Sequence, residues 1–504
     1  MKVLFLDPPM GSWVTWGKHL SINVSHAQIS ALVKRDAEGA EPVVLDCRAL
    51  GLNHDDMIAE IEKIQPDLIY MGDAWQMTET LAIIPHYKKA FRIIKERFPG
   101  VKTCAGGFYI AANYKEIITE TPDLDFVIAG EPELTVTELC SELAKGTKDL
   151  SGIKGLCHRV DGEIVYNEYR PLMKDLNELP MPAYELFPMD KYIGYDAIET
   201  YQEIFTARGC PFGCSFCIDW VTMDPRGKND WRKHRYKSGK MVVDEIEHLN
   251  KEYGVDTISI FDLNFNPVRS RVEEFTEELE KRDLKINFQF LGNAHCLKRD
   301  LDLLPRLQKC GMGSVIYGLE VTDDAALKKV GKGTTIGEIK EVTQRLREMH
   351  ITSVITWIIG FPDDDARSIK KRFAVLDDID PDIMALQMLL PVPGIPLYDE
   401  IKEYCEVKDY AHWNFHEPVV RTKHLSREQL GKLAAWANRE FYSARGRVQR
   451  ILEDEHINPF PLQIFKSYMK SMDDYAKKAS GESGEKHERP DSRHSDARPD
   501  IAYR

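Results

Sequence analysis

The chain has 504 residues, 43% of them apolar, with a net charge of −14 and a pI near 5.6. That length suits two or three separate cores, and that charge argues against a nucleic-acid-binding surface and a polybasic membrane anchor. Met1–Asp7 is too short for a signal segment, no apolar run approaches a bilayer span, and the cysteines lack a disulfide-like pattern, so a soluble protein of the reducing cytoplasm is expected.

Short apolar runs alternate with helical patterns from the first residue. Lys2–Asp7, Pro42–Leu45, Leu68–Gly72, Lys102–Ala105 and Phe126–Ala129 read as buried strands. Ala27–Lys34, Met57–Ile64, Leu81–Arg97 and Leu134–Leu143 read as the helices between them. Such alternation predicts an α/β fold, here a doubly wound, Rossmann-like parallel sheet over residues 1–145. Sheets of this kind bind ligands at the carboxyl ends of their strands. The residues there are Asp7-Pro8-Pro9, Gly72-Asp73-Ala74-Trp75-Gln76-Met77-Thr78, Gly106-Gly107-Phe108-Tyr109 and Gly130-Glu131-Pro132-Glu133. Each could be ordinary turn chemistry, but their glycines also allow a bulky ligand to approach the backbone. Trp13 and Trp16 follow the first strand in a Gly-flanked loop and read equally as lid or ligand contact.

Residues 146–198 read as a linker, with a hairpin of Gly152–His158 and Glu163–Tyr166 around Asp161-Gly162 and a proline-marked connector at Leu179–Ala183. The βα alternation resumes over 199–398. Strands are expected at Tyr201–Thr206, Thr257–Asp262, Asn287–Leu291, Ser314–Leu319, Ser353–Ile359 and Ile383–Leu390. Helices are expected at Val242–Tyr253, Ser270–Arg282, Leu301–Cys310, Thr335–Met349 and Ile369–Ile379. Six such units fit a partial (β/α)6, TIM-like barrel, with chemistry at the strands' carboxyl ends. Residues 399–478 read as helical, and 479–504 have almost nothing apolar to bury and read as disordered. The dense basic run within Arg226–Lys240 reads first as a solvated face, although an anion contact there also fits.

The most informative stretch is Thr206-Ala-Arg-Gly-Cys210-Pro-Phe-Gly-Cys214-Ser-Phe-Cys217. Three thiolates at this spacing, in a loop of two glycines and a proline, suit an iron–sulfur cluster. In a 4Fe–4S cluster three ligands leave one iron open. A zinc site would want a fourth Cys or His at a regular offset, which neither Asp219 nor His234 supplies.

This spacing, with Phe216 before the third cysteine and the lead-in Thr-x-Arg-Gly-Cys-Pro, resembles the radical S-adenosylmethionine (SAM) superfamily. The four N-terminal strand-end loops together resemble the cobalamin domain that precedes the cluster motif in one branch of it. The resemblance implies a 4Fe–4S cluster on Cys210, Cys214 and Cys217, with SAM on the open iron. It implies SAM contacts from Phe216, Asp262, Gly318, Glu320 and Pro362. Cobalamin contacts are implied for Pro8, Gly72, Asp73, Ala74, Trp75, Gln76, Thr78, Gly106, Gly107, Phe108, Tyr109, Gly130, Glu131, Pro132 and Glu133. For Glu320, an ion pair with a barrel lysine or arginine is the competing reading.

The implied activity is radical C-methylation, with the methyl group passing from SAM through methylcobalamin to an sp³ carbon of a protein, peptide or small molecule. An electron donor such as ferredoxin or flavodoxin is implied as partner. Four departures from the family pattern stand out. Tyr109 replaces a frequent histidine, no Asp-x-His-x-x-Gly motif offers cobalt a histidine, Gly360-Phe-Pro-Asp-Asp-Asp365 replaces Gly-x-Pro-Gly-Glu-Thr, and Gly292-Asn-Ala-His295 lacks the arginine frequent after the third barrel strand. The same-fold alternative is a magnesium-protoporphyrin oxidative cyclase. From another class come a non-catalytic cobalamin carrier and an electron-transfer iron–sulfur protein, the latter disfavoured by the missing fourth cysteine.

Overall fold

The computed structural model describes residues 1–10, 19–73, 81–195, 198–217, 234–321 and 324–480. Trp13, Trp16, Ala74, Trp75, Gln76, Thr78, residues 226–233 of the basic run and the segment 481–504 lie outside the described residues, as does the side chain of Asp73.

Strand β1 (Lys2–Asp7) is central to the first sheet because Val3, Leu4, Phe5 and Leu6 are all apolar and all buried, which only a strand covered on both faces requires. It pairs in parallel with β2 (Glu41–Asp46) and β3 (Leu68–Asp73), and β4 (Lys102–Gly107) and β5 (Phe126–Ile128) continue the sheet from β3. The order β2-β1-β3-β4-β5 is that of a flavodoxin-type doubly wound sheet, whose topological switch lies between β1 and β3. The intervening helices carry their own start signals, as in the Asn53–Asp56 capping box that opens His54–Ile64.

The hairpin expected in the linker is part of this sheet. Strands β6 (Leu156–Val160) and β7 (Glu163–Tyr166) pair antiparallel, and β6 pairs antiparallel with β5 through Val127↔Cys157, giving seven strands. Local pattern shows a hairpin but not which edge it joins, because that choice rests on burial of Leu156 and Cys157 against β5.

The second sheet begins at β8 (Tyr201–Ile204). Two short strands, β9 (Ala207–Arg208) and β10 (Arg235–Tyr236), form a separate antiparallel ribbon. Then come β11 (Thr257–Ile260), β12 (Asn287–Gly292), β13 (Met312–Gly318), β14 (Thr352–Ile359) and β15 (Ile383–Met388). The order β15-β14-β13-β12-β11-β8 is wholly parallel and does not close, which makes the expected partial barrel of six strands. The helix expected at Leu301–Cys310 is the shorter Leu304–Lys309, with Pro305 in its first turn, and a further short helix not expected from the sequence, Ala294–Arg299, precedes it.

The C-terminal helices lie on the barrel's outer wall and amino-terminal end. Helix Arg427–Ser443 packs on Ala366–Ile379, while Asn458, just ahead of helix Pro459–Ser480, donates to Asn287 Oδ1 at the start of β12 (2.8 Å). The part of this region that reaches the strand-end cleft is the loop holding Phe415. Tyr410 nearby is 2.7 Å from the Tyr109 hydroxyl and ties this segment to the first sheet. Among the described residues no helix is long and apolar enough to cross a membrane.

Candidate active site

The cysteine loop emerges at the carboxyl end of the half barrel, directly after β9. It is pinned by backbone contacts as well as by packing of its phenylalanines. Gly213 N–H donates to Gly331 O (3.1 Å), Ser215 N–H to Val330 O (3.1 Å), and Leu397 N–H to Ser215 O (3.0 Å). Gly331 has φ +74°, and a Cβ there would stand 2.5 Å from Gly213 O, so only glycine lets the two loops approach this closely.

All three cysteines line one cleft of about 1290 Å³ including its open mouth. Phe212 and Phe216 stand beside them, and Asn264, Asn293, Gly318, Glu320, Lys332 and Thr356 form the polar wall. The cleft's apolar lining includes Ile358, Met388, Leu389, Leu390, Val392 and Phe415. Among the described residues no three His, Cys, Asp or Glu side chains converge tightly enough to hold one metal ion. Thiolates that each meet a different iron of a cluster need no such convergence.

The polar wall is charged and incomplete. Lys332 Nζ lies 3.0 Å from Glu320 Oε1, which also accepts from Thr356 Oγ1 (2.9 Å). Burial opposes the lysine's charge, but Glu320 and the nearby Cys214 sulfur raise its pKa. Glu320 sits at φ +60°, a costly conformation for a residue with a side chain, and its Oε2 is buried without a hydrogen-bond partner. Asn264 Oδ1 is buried and equally unpartnered. A side chain at Gly318 would run into both Glu320 and Lys332, so the space above them depends on glycine. An ammonium placed on Glu320 Oε2 and a carboxylate on Lys332 would complete this wall, the pattern of an α-amino-acid end group. The residues present therefore fit a cluster with SAM on its open iron.

A second cavity of about 760 Å³ lies between the first sheet and the barrel. Gly107, Phe108, Gly130, Glu131, Pro132 and Glu133 of the strand-end loops line it, facing Phe205, Arg208 and Lys237. Gly107 (φ +108°) and Gly130 (φ +104°) hold conformations that favour glycine.

The remaining sequence-selected residues lie elsewhere. Pro8 is absent from both linings. Gly72 and Gly106 flank the Tyr70 ring, and a Cβ on either would stand 2.6 Å from its hydroxyl, so their glycine character serves packing within the sheet. Tyr109 is buried and turned to Tyr410. Asp262 lies below the cleft, where it accepts from Thr206 N (2.5 Å), Thr206 Oγ1 (2.6 Å) and Ala207 N (2.7 Å). Pro362 is absent from the cleft lining, although Phe361 packs edge-on against Phe216 with centroids 6.3 Å apart. The altered Gly-Phe-Pro-Asp-Asp-Asp stretch has an internal logic. Asp364 accepts from Gly360 N (2.9 Å) and Phe361 N (3.1 Å) and pairs with Arg372 (2.6 Å), while Asp365 caps helix Ala366–Ile379. Sequence reasoning missed Lys332 and Phe415. Lys332 stands between Gly331 and Gly333, which both adopt positive φ and present the lysine on a sharp turn.

Comparison with known proteins agrees with this geometry. The radical SAM superfamily profile matches residues 204–373. The anaerobic magnesium-protoporphyrin IX monomethyl ester cyclase of Rubrivivax gelatinosus is 27% identical over 480 residues, covering 94% of this chain and 83% of its own. An uncharacterized methyltransferase of Pyrococcus horikoshii is 27% identical over 449 residues, covering 88% and 92%. In fold, the chain is similar to the radical SAM methyltransferase TsrM of Kitasatospora setae, a structure with cobalamin and a [4Fe-4S] cluster bound. That likeness has a TM-score of 0.63 at 17% identity and covers 80% of this chain and 78% of TsrM. With its cysteine loop at the mouth of an open six-stranded half barrel and inside the matched stretch, the chain carries a radical SAM domain over residues 204–373.

Proposed function

We propose that this protein is a cobalamin-dependent radical SAM C-methyltransferase that moves a methyl group from SAM to an unactivated sp³ carbon. The observation that carries the reading is the pairing of two sites, the cysteine-lined cleft and the adjoining cavity built on the strand ends of a doubly wound sheet. The likeness in fold to TsrM with its bound cobalamin supports the pairing. When bound, the cluster supplies the electron that cleaves SAM to a 5′-deoxyadenosyl radical, and cobalamin carries the methyl group.

The protein's own part is orientation. Lys332 and Glu320 hold the charged end of SAM beside the cysteines, and Gly318 keeps that space open. Leu389, Leu390, Val392 and Phe415 exclude water from the side on which an acceptor carbon would lie. No protein acid or base is required for hydrogen-atom abstraction. Gln387, Asn264, Asn293 and Thr356 are neutral polar groups of this cleft, and they suit an uncharged acceptor such as an amide side chain. A glutamine of methyl-coenzyme M reductase is one acceptor of that kind, and a lipid or other small molecule matches the apolar lining. The second reading is oxidative cyclisation of a magnesium porphyrin, favoured by the sequence likeness to the Rubrivivax cyclase.

Two measurements test the parts. Reconstituted protein should take up stoichiometric cobalamin, and its cob(II)alamin electron paramagnetic resonance (EPR) spectrum should lack axial-nitrogen splitting, because no histidine lines either site among the described residues. Failure to take up cobalamin, or a nitrogen-split spectrum, contradicts this. Lys332→Met should weaken SAM binding roughly ten- to hundredfold, the loss of a charge-assisted contact, with Lys332→Arg recovering much of it. Titrating the SAM-induced change in the reduced-cluster spectrum reads the affinity, and an unaltered titration would remove Lys332 from the site.

A further inference from the structure

Four charged side chains join the two domains next to the cysteine loop. Arg208 reaches both carboxylate oxygens of Glu133, one contact by Nη1 at 3.2 Å and a shorter one by Nη2, and its Nη1 is 3.2 Å from Glu131 Oε1. Arg235 Nη1 is 2.8 Å from the same Glu131 oxygen and donates to Met173 O (2.7 Å). Both arginines come from one ribbon, since β9 and β10 pair through Arg208↔Arg235, and both glutamates come from the start of helix Pro132–Ala144, Glu131 as its N-cap and Glu133 in its first turn.

The quartet is largely out of water, with side-chain exposures of 17% for Arg208, 5% for Glu133, 12% for Glu131 and 8% for Arg235. Burial alone would raise the Glu131 carboxyl, but Arg208 and Arg235 hold it below its ordinary value. A forked guanidinium on a carboxylate fixes angle as well as distance, unlike a lysine's point charge. Glu131 and Glu133 form a wall of the interdomain cavity, and only Gly209 separates Arg208 from Cys210. The fork thus spans from the cavity wall to the first cluster cysteine with almost no slack.

We infer that Arg208 is a positioning residue that sets the register between the ligand of the interdomain cavity and the cluster, through its fork on Glu133 and Glu131. The inference rests on the cobalamin reading above. Simple domain glue would need buried opposite charge but no particular fork geometry, so Arg208→Lys separates the two.

The test uses the full chain reconstituted with cluster and hydroxocobalamin and then reduced so that both centres are paramagnetic. Power saturation of the cob(II)alamin signal reports how strongly the nearby cluster relaxes it, which depends steeply on their separation and orientation. The wild type should show relaxation enhancement. Arg208→Lys and the charge-neutral pair Arg208→Gln with Glu133→Gln should keep their iron, sulfide and cobalamin contents yet lose or broaden that enhancement. Unchanged enhancement in fully loaded variants overturns the proposal and leaves the cobalamin reading intact. Loss of cofactors together with a lowered melting temperature in both variants makes Arg208 structural and also overturns it. A wild-type protein that builds the cluster but takes up no cobalamin sinks the cobalamin reading, and this inference with it.

Discussion

Replacing Cys210, Cys214 and Cys217 together by alanine should abolish the cluster's visible absorbance and all formation of 5′-deoxyadenosine from SAM. The three side chains line one cleft, and no other cysteine joins that lining. Cys47, Cys104, Cys140, Cys157 and Cys296 are buried, and burial pushes the Cys140 and Cys157 thiols up to about 12, so neither is a ready thiolate. Cobalamin uptake should survive, because the interdomain cavity is lined by other residues. Iron and sulfide analysis with cobalamin titration checks both halves. Iron content equal to the wild type would contradict the assignment of these cysteines.

Asp262→Ala should be the most destabilising single substitution near the site. The carboxylate is 1% exposed and receives two backbone amides and the Thr206 hydroxyl, and it lies 3.4 Å from the guanidinium of Arg271, itself 2% exposed. Burial lowers the Arg271 pKa, with Asp262 opposing that effect. Removing the carboxylate strands a buried charge and frees the end of β8, at a cost of about 3–5 kcal/mol. The half barrel's melting temperature should drop by roughly 10 °C, and Asp262→Asn should lose less because its amide oxygen still accepts. A direct SAM contact would instead weaken SAM binding and leave the melt unchanged.

Asp262 illustrates how far the sequence is legible. Its position at a strand's carboxyl end is readable from the run Thr257–Asp262, and so is the half barrel, because period-two apolar runs and amphipathic helices are local signals. Whether such a residue points into the cleft or beneath it depends on the bend of one strand end and on Thr206, fifty-odd positions away in the chain. Glu131 and Glu133 show the same limit. Their loop is visible as a Gly-Glu-Pro-Glu motif, but their arginine partners sit on a two-strand ribbon too short to give a periodic signal. The cysteine loop was legible because thiolate spacing is itself the chemistry. Lys332 was not, since a lysine between two glycines becomes a site residue only when Gly213 docks against Gly331.

Methyl transfer predicts two fates for SAM, and counting them tests the central claim most directly. Reduced, cobalamin-loaded protein should convert methyl-deuterated SAM to both S-adenosylhomocysteine and 5′-deoxyadenosine in the presence of a competent acceptor, with the label on acceptor carbon. One molecule donates the methyl group and the other supplies the radical, so the two products should accumulate together. A cyclase uses only the radical half. Deoxyadenosine formed without S-adenosylhomocysteine, with the label remaining on methionine, would contradict methyl transfer.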